Sequence, residues 1–226
     1  MRPEDLKSGF RFADRRPLIK DHILYVPDYY FEHEAFSMPT LSSIFSNENP
    51  IHIEYCTGHG DWIIEKALSN PLVNWIAVEK QFERVRKIFS KRANHNVKNL
   101  FIICGEAYTA TKYYLPSGCI EKAYMNFPDP WPKQRHAKHR LIKETFVQEL
   151  SRVIVKGGEM AFATDDPSTS ESIIAEMLQS NLWQSMYCDP YFITDLPGYG
   201  TSFFEKLWRG LGKQIHYMQF KHFVLG

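Results

Sequence analysis

The sequence has few of the features that mark membrane, secreted or metal-binding proteins. No apolar run among its 226 residues approaches the roughly 18 residues that span a bilayer, and residues 1–5 do not open a secretory signal. The four cysteines lie far apart without a Cys-x-x-Cys pair, and three of them lie in apolar, strand-like runs. This pattern favours buried free thiols over disulfides or zinc ligands. We therefore expect a cytoplasmic protein with no metal site and no membrane partner.

Neither positive nor negative charge is in clear excess over the chain as a whole. The formal net charge is +1, so an anionic partner has to be met by a local patch rather than by the field of the whole molecule. Residues 133–143 offer such a patch, with five Lys or Arg, two His and no acid, and residues 2–20 hold six Lys or Arg against three acids. Taken alone, the run at residues 133–143 is more typical of a solvated helix start, and a disordered tail explains the first dozen or so residues nearly as well.

From residue 50 onward, short apolar runs alternate with stretches of helical periodicity, which predicts a doubly wound α/β fold with a mostly parallel sheet. The predicted strands are Ile51–Cys56, Trp75–Val78, Leu100–Cys104, Ile120–Met125, Met160–Ala163 and Gln214–Val224. The predicted helices are one from Asp61, Phe82–Phe89, Ala107–Tyr114, about His139–Val155, and one from Asp165 to about Gln179. We predict a domain over residues 49–226, preceded by an irregular basic extension over residues 1–48 whose aromatic side chains pack on the main body.

Two local patterns refine this prediction. The run Lys156-Gly157-Gly158 is typical of a left-handed helix C-cap and is expected to end the helix that begins near His139. The last strand, Gln214–Val224, is expected to be antiparallel, with a partner near Tyr187–Ile193.

Acids or glycine turns follow four successive predicted strands. They are Glu54 with the turn Gly58-His59-Gly60, then Glu79, then Gly105-Glu106-Ala107, and finally Asn126–Trp131. Ligands of open parallel sheets bind beyond the carboxyl ends of the strands, so these residues predict a nucleotide site. A solvated loop carboxylate explains any one of them, but coincidence is a poor account of all four.

The details of the first turn favour S-adenosylmethionine over a dinucleotide. A dinucleotide fingerprint continues to a third glycine, whereas Ile63 stands there in this sequence. Glu79 lies 79 − 60 = 19 positions after Gly60, near the spacing at which an acid accepts hydrogen bonds from ribose hydroxyls. No basic residue is placed for a phosphate, and a sulfonium needs no phosphate cradle.

The segment after the fourth strand is a stiff, proline-rich loop. Pro128, Pro130 and Pro132 fix the backbone and exclude both helix and central strand, so Asp129 and Trp131 are held in one presentation. The basic run over residues 133–143 follows directly. A rigid carboxylate and aromatic ring beside cations suit chemistry on an anionic substrate such as RNA.

These motifs resemble the tRNA (guanine-N7)-methyltransferases over about residues 50–220. The loop that carries the resemblance is Phe127-Pro128-Asp129-Pro130-Trp131-Pro132-Lys133-x-Arg135-His136-x-Lys138-x-Arg140-Leu141. The same order of motifs continues through Glu54…Gly58-x-Gly60, Glu79, Glu106-Ala107, Thr164-Asp165, and Phe204-Glu205 with Arg209 and Gly212. The resemblance implies a Rossmann-like, seven-stranded methyltransferase, monomeric or homodimeric. It would transfer the methyl group of S-adenosylmethionine to N7 of guanine 46 in the variable loop of tRNA and release S-adenosylhomocysteine.

The resemblance also implies roles for individual residues. The residues expected to bind the cofactor are Glu54, Gly58, Gly60, Glu79, Glu106, Ala107, Asn126 and Asp129. The residues expected to bind the substrate are Lys133, Arg135, Asp165, Ser202, Phe203, Phe204 and Glu205. Three positions depart from the family pattern: Cys56 stands where glycine is usual, Glu106 where aspartate is usual, and Ser202 where threonine is usual.

Methylation of guanine N7 does not require a strong general base. N7 carries an in-plane lone pair and no proton at neutral pH, so positioning and a carboxylate near the developing purine cation are expected to suffice. Asp129 is the first candidate for that carboxylate and Asp165 the second, although Asp129 also fits a purely structural turn. Trp131 or Phe203 is a candidate for stacking on a base.

Three other functions are compatible with parts of the sequence. An exocyclic-amine methyltransferase with an Asn-Pro-Pro-aromatic loop matches Asn126–Trp131 loosely, but Asp129 separates Pro128 from Pro130. A non-catalytic RNA-binding subunit would not need the acids at the strand ends. A nicotinamide dehydrogenase is the weakest of the three, because the glycine fingerprint is incomplete.

Overall fold

The computed structural model describes residues 1–9, 16–28, 30–128, 141–200 and 202–223. The chain folds into two compact units, Met1–Leu115 and Pro116–Gly226. Within the described ranges, no helix combines the length and the apolar character needed to cross a membrane.

The first unit contains five strands in the order β1-β2-β5-β4-β3. These are β1 (Leu18–Lys20), β2 (Ile23–Tyr25), β3 (Ile51–Tyr55), β4 (Asn74–Glu79) and β5 (Leu100–Cys104). Its helices are α1 (Leu41–Phe45), α2 (Asp61–Ser69), α3 (Phe82–Asn94) and α4 (Ala107–Tyr114), with 3₁₀ turns at Pro3–Asp5 and His33–Ala35. Strands β2 to β5 pair in parallel and β1 joins β2 antiparallel. All of β4 and most of β5 are buried, which explains why they read as continuous apolar runs.

The N-terminal segment is more regular than the sequence predicts. Ile23, Leu24 and Tyr25 are buried and form β2, which pairs with β5. Strands of three residues are too short to show alternation, so the sequence pattern did not reveal them. Phe36 packs against Tyr114 as predicted, with ring centroids 5.8 Å apart.

The second unit contains four strands in the order β6-β7-β9-β8. These are β6 (Ile120–Asn126), β7 (Ile154–Thr164), β8 (Trp183–Ser185) and β9 (His216–His222). Its helices are α5 (Glu144–Val153), α6 (Pro167–Gln179) and α7 (Phe203–Gly210). Strands β6 and β7 are parallel, and β9 pairs antiparallel with both β7 and β8.

Two local predictions for this unit were wrong. Helix α5 ends at Val153 and β7 begins at Ile154, so Gly157 and Gly158 lie inside a strand rather than in a helix cap. The pairing of β7 with β6 jumps from Ile154 to Glu159, and this bulge places Gly157 at φ +78°. The strands that pair with β9 are β7 and β8, and the predicted partner segment contributes only an isolated bridge at Ile193.

Candidate functional site

Glu79 joins the carboxyl ends of three adjacent parallel strands. It is the last residue of β4 and is 4% exposed. Its Oε2 accepts a hydrogen bond from the N–H of Gly58 at 2.8 Å, and its Oε1 accepts one from the N–H of Gln81 at 2.8 Å. Its carbonyl oxygen accepts a third from the N–H of Gly105 at 3.1 Å. The loops after β3 and β5 are thereby tied to the end of β4.

The electrostatic setting of Glu79 favours further hydrogen-bond donors. Burial raises the pKa of its carboxyl group above the ordinary value, and the hydrogen bonds from Gln81 and Gly58 offset only part of that effect. Arg84 contributes a smaller offset, with its guanidinium 3.8 Å from Oε2. A carboxylate oxygen can accept more than one hydrogen bond, so ribose hydroxyls fit this group chemically.

The turn from β3 to α2 has a left-handed backbone at alternate residues. The φ angles are +56° at Cys56, +63° at Gly58 and +77° at Gly60. A Cβ built on Gly60 would come within 2.8 Å of Cγ1 of Ile88, so this glycine is required by packing as well as by conformation. Cys56 adopts the conformation that a glycine adopts without strain, at a cost of about 1–2 kcal/mol. The departure from the family pattern therefore keeps the positive-φ turn.

Two further acids lie at or just after the carboxyl ends of the strands that flank β4. Glu54 is 1% exposed and lies one residue before the end of β3. Glu106 is the N-cap of α4, and its Oε2 accepts a hydrogen bond from the N–H of Thr109 at 2.7 Å. Ala107 is the first residue of that helix. The structure thus places three predicted cofactor-binding acids at the carboxyl ends of three neighbouring strands.

Two of the cations close to this edge are paired with acids. Nζ of Lys91 donates to Oδ1 of Asp61 at 2.6 Å, and Arg84 pairs with Glu79. A third cation, Lys87, has its Nζ 3.1 Å from Nε2 of His59 in the turn. No cluster of three or more potential metal ligands occurs in the described parts of the chain.

In the second unit, β6 ends in a strained turn. Asn126 is buried, and its Oδ1 accepts a hydrogen bond from the Tyr199 hydroxyl at 2.7 Å. Phe127 follows with φ +51°, and its N–H donates to the carbonyl of Ala163 at 2.7 Å. A bulky residue in this conformation costs about 1–3 kcal/mol, and such strain is concentrated at functional sites. The turn leads directly into Pro128.

Asp165 directly follows the carboxyl end of β7. Its Oδ2 accepts a hydrogen bond from Nζ of Lys213, and its side chain is 12% exposed. The next residue, Asp166, has a structural function instead: its Oδ2 caps α6 by accepting from the N–H of Thr169 at 2.9 Å.

The predicted substrate motif Ser202–Glu205 begins helix α7. Ser202 is the N-cap, and its Oγ accepts from the N–H of Glu205 at 3.1 Å. Oε1 of Glu205 accepts from the Tyr217 hydroxyl at 2.6 Å and from Nε of Arg209 at 3.0 Å. The Glu205 carboxylate therefore anchors α7 to β9. Phe203 is half exposed at the start of the helix.

The most specific part of the sequence motif lies outside the described residues. This applies to Asp129, Trp131, Lys133 and Arg135. The remaining predicted residues fall into a cofactor group in the first unit and a group of Asn126, Asp165 and the α7 motif in the second.

Sequence reasoning missed the residues that hold the predicted ones in place. Tyr199 bonds to Asn126, Tyr217 bonds to Glu205, and Lys213 bonds to Asp165. Each partner is distant in sequence or lies across a turn, so no spacing pattern signals it. The position of Lys213 directly after the turn glycine Gly212 was the one sequence signal for the contact with Asp165.

Comparisons with known proteins agree with this geometry. A family model described as a putative methyltransferase matches residues 48–218. The crystal structure of the 16S rRNA methyltransferase KamB superposes with a TM-score of 0.60 at 14% identity, covering 84% of this chain and 98% of that one. A 16S rRNA (adenine(1408)-N(1))-methyltransferase from Catenulisporales acidiphilia, solved with cosubstrate SAM, superposes with a TM-score of 0.57 at 13% identity, covering 83% and 93%.

Two relatives are similar over nearly their whole length. The tRNA (guanine-N(7)-)-methyltransferase of Chlamydia muridarum is 47% identical over 220 residues, covering 97% of both chains. The enzyme of the same name from Bacillus cytotoxicus is 32% identical over 204 residues, covering 90% of this chain and 92% of the relative.

The fold and the acid-lined strand ends define a Rossmann-like methyltransferase, which confirms the predicted fold class. The predicted number of seven strands was wrong: the described residues form nine, because β1 and β2 were not predicted. With relatives of this similarity over this length, the chain belongs to the tRNA (guanine-N(7)-)-methyltransferase family. The resemblance inferred from the proline loop is therefore confirmed.

Proposed function

We propose that this protein transfers the methyl group of S-adenosylmethionine to N7 of guanine 46 in the variable loop of tRNA, in the cytoplasm. The observation that carries the proposal is the family membership, since the relatives are named for guanine-N7 methylation of tRNA. The sequence motif adds a carboxylate, Asp129, in the proline loop.

The chemistry of the first unit fits S-adenosylmethionine. Glu54, Glu79 and Glu106 are acceptors at three adjacent strand ends, and the nearby cations Arg84 and Lys91 are paired with acids. Hydroxyl and amino groups of the cofactor are donors, and it carries no phosphate to require a free cation. When bound, S-adenosylmethionine supplies a methyl group activated by attachment to a sulfonium.

The protein's own residues then need to position, not to activate, the nucleophile. N7 already carries a lone pair, so no side chain has to remove a proton from it. Glu79 and the turn at Gly58 form a rigid edge for the cofactor, because the carboxylate bonds to that turn. We propose that Asp129 stabilises the positive charge that develops on the purine, while Lys133 and Arg135 bind phosphates.

Removing the Asp129 carboxylate tests the proposed catalytic role. We expect Asp129→Ala and the isosteric Asp129→Asn to lose methyl transfer by about 100-fold or more, as is typical of a lost charge-stabilising group. Single-turnover rates on unmodified tRNA measure the effect, and circular dichroism checks the fold. A near-normal rate in Asp129→Asn would remove this carboxylate from the mechanism.

The atom and the position of methylation need a separate experiment. Nucleosides from tRNA incubated with the enzyme and labelled cofactor are separated and identified by mass spectrometry. We expect 7-methylguanosine from wild-type tRNA and none from a transcript with adenine at position 46. An N²-methylated product would support the exocyclic-amine alternative, and a product retained in the adenine-46 transcript would place the target elsewhere.

A further inference from the structure

Lys213 contacts one of the two carboxylate oxygens of Asp165. Its Nζ donates to Oδ2, and Oδ1 makes no hydrogen bond within the described parts of the chain. The Asp165 side chain is 12% exposed and that of Lys213 is 45% exposed. One carboxylate oxygen is therefore held by Lys213, and no donor among the described residues holds the other.

The backbone and side chain of Lys213 are both held against Trp208. Its N–H donates to the carbonyl of Trp208 at 3.0 Å, and its Nζ lies 4.0 Å from the centroid of the Trp208 ring. Gly212, at φ +75°, reverses the chain after α7 and donates to the carbonyl of Arg209 at 3.0 Å. The turn, the cation–π contact and the ion pair leave the ammonium group little freedom.

Stability alone gives a weak reason for this arrangement. An ion pair with a lysine this exposed contributes little to stability, and ordering a long side chain opposes it. Helix α7 is already anchored to β9 by Glu205, Arg209 and Tyr217. What the Lys213 contact adds is a fixed orientation of the Asp165 carboxylate.

We propose that Lys213 is a positioning residue that holds Oδ2 of Asp165 so that Oδ1 faces the Watson–Crick edge of the target guanine. That edge presents N1–H and the 2-amino group, both donors to a carboxylate, whereas adenine presents an acceptor at N1. Asp165 thereby selects guanine, and Lys213 sets the orientation of the Asp165 carboxylate. The inference rests on the proposed function, because it assumes that the target base is the guanine of a tRNA.

A double-mutant cycle tests the coupling. The variants are Lys213→Met, Lys213→Arg, Asp165→Asn and the double variant Lys213→Met/Asp165→Asn. We expect Lys213→Met to lower the single-turnover methylation rate about tenfold, since small misplacements of a positioning group are costly. Cofactor affinity by calorimetry and the thermal midpoint should stay near wild type. Lys213→Arg should recover most of the rate, and the double variant should be no slower than Asp165→Asn.

The contrary outcomes separate the inference from the proposed function. Multiplicative losses in the double variant, or a salt dependence of tRNA binding reduced by about one counterion in Lys213→Met, would make Lys213 a phosphate contact and overturn the inference. A lowered thermal midpoint together with a proportional loss in both backgrounds would make it a structural contact and also overturn it. Wild-type protein that fails to methylate tRNA would overturn the proposed function and this inference with it.

Discussion

At the scale of single residues, Gly60 is constrained twice, by its backbone angle and by its neighbour. Its φ of +77° is strained for any other residue, and an added Cβ would lie 2.8 Å from Cγ1 of Ile88. We expect Gly60→Ala to lower the free energy of unfolding by about 2–3 kcal/mol and to weaken cofactor binding. Urea denaturation and calorimetry measure the two effects.

Gly118→Ala is the matched control for this change. Gly118 also has a positive φ, +60°, but nothing lies within 4 Å of an added Cβ. The control should cost about 1–2 kcal/mol and leave cofactor affinity unchanged. Equal losses in the two variants would contradict a packing role for Gly60.

The raised pKa of Glu79 predicts that the contribution of this residue to the free energy of unfolding decreases as the pH rises. As the pH rises above the ordinary value of 4.5, the unfolded chain releases the proton of this group before the folded chain does. The folded state then binds more protons, so the contribution of Glu79 to stability falls with rising pH. In Glu79→Gln this titration is absent. The difference in unfolding free energy, wild type minus variant, should therefore decrease between pH 4.5 and the folded pKa.

Urea unfolding of both proteins at intervals from about pH 4 to pH 7 measures this difference. Other groups titrate alike in the two proteins and cancel. A difference that rises over the same interval would mean that the hydrogen bonds from Gly58 and Gln81 outweigh burial.

At this scale the sequence identified the acids of the site but not the protein groups that donate hydrogen bonds to them. Glu79 was predicted from its distance to Gly60 and from its place after a strand. Its bonds to Gly58 and Gln81 depend on how two loops approach each other, which no spacing in the chain records.

At the scale of secondary-structure elements, the cap of α7 depends on the Ser202 hydroxyl. Ser202→Ala removes the acceptor for the N–H of Glu205, and we expect a loss of about 1 kcal/mol. Because the same helix end carries the predicted substrate motif, the Michaelis constant for tRNA should rise as well. Thermal denaturation and steady-state kinetics provide the two readings.

Ser202→Thr restores the residue usual in the family and keeps the hydroxyl. It should match wild type in both measurements. If the threonine variant were as impaired as the alanine variant, side-chain volume rather than capping would explain the position.

Element boundaries were predictable where a side chain marks them. Asp166 and Pro167 start α6, and β5 and α4 were predicted at their observed bounds. The glycine pair Gly157-Gly158 was misassigned because the same residues serve a helix cap and a strand bulge equally well. Long-range pairing with β6 decides between them, and that pairing is invisible locally.

At the scale of the whole molecule, the near-zero net charge makes tRNA binding a matter of local contacts. We expect Lys133→Ala to weaken tRNA binding and to reduce the slope of log affinity against log salt by about one. Filter binding or fluorescence anisotropy across a salt series gives the slope.

Lys156→Ala serves as the control for lost positive charge. Lys156 is exposed near the amino end of β7, at the opposite end of that strand from Asp165. It should leave both affinity and slope unchanged. A similar change in both variants would show that net charge, not a defined contact, governs the binding.

The fold and the family were predictable from the sequence because they rest on repeated, short-range signals. Alternating strands and helices gave the fold class, and one proline loop gave the family. Strands β1 and β2 were missed because each is only three residues long and acquires its place by pairing.

The hydrogen bonds that the Glu79 carboxylate accepts from the backbone of Gly58 and Gln81 limit how cofactor preference can be engineered. A variant library that replaces this acid to accept a ribose-modified analogue also unties the turn at Gly58 and the start of α3 at Gln81. Diversity is better introduced at Glu106, whose carboxylate bonds, among the described residues, to its own helix alone, while Glu79 is left unchanged.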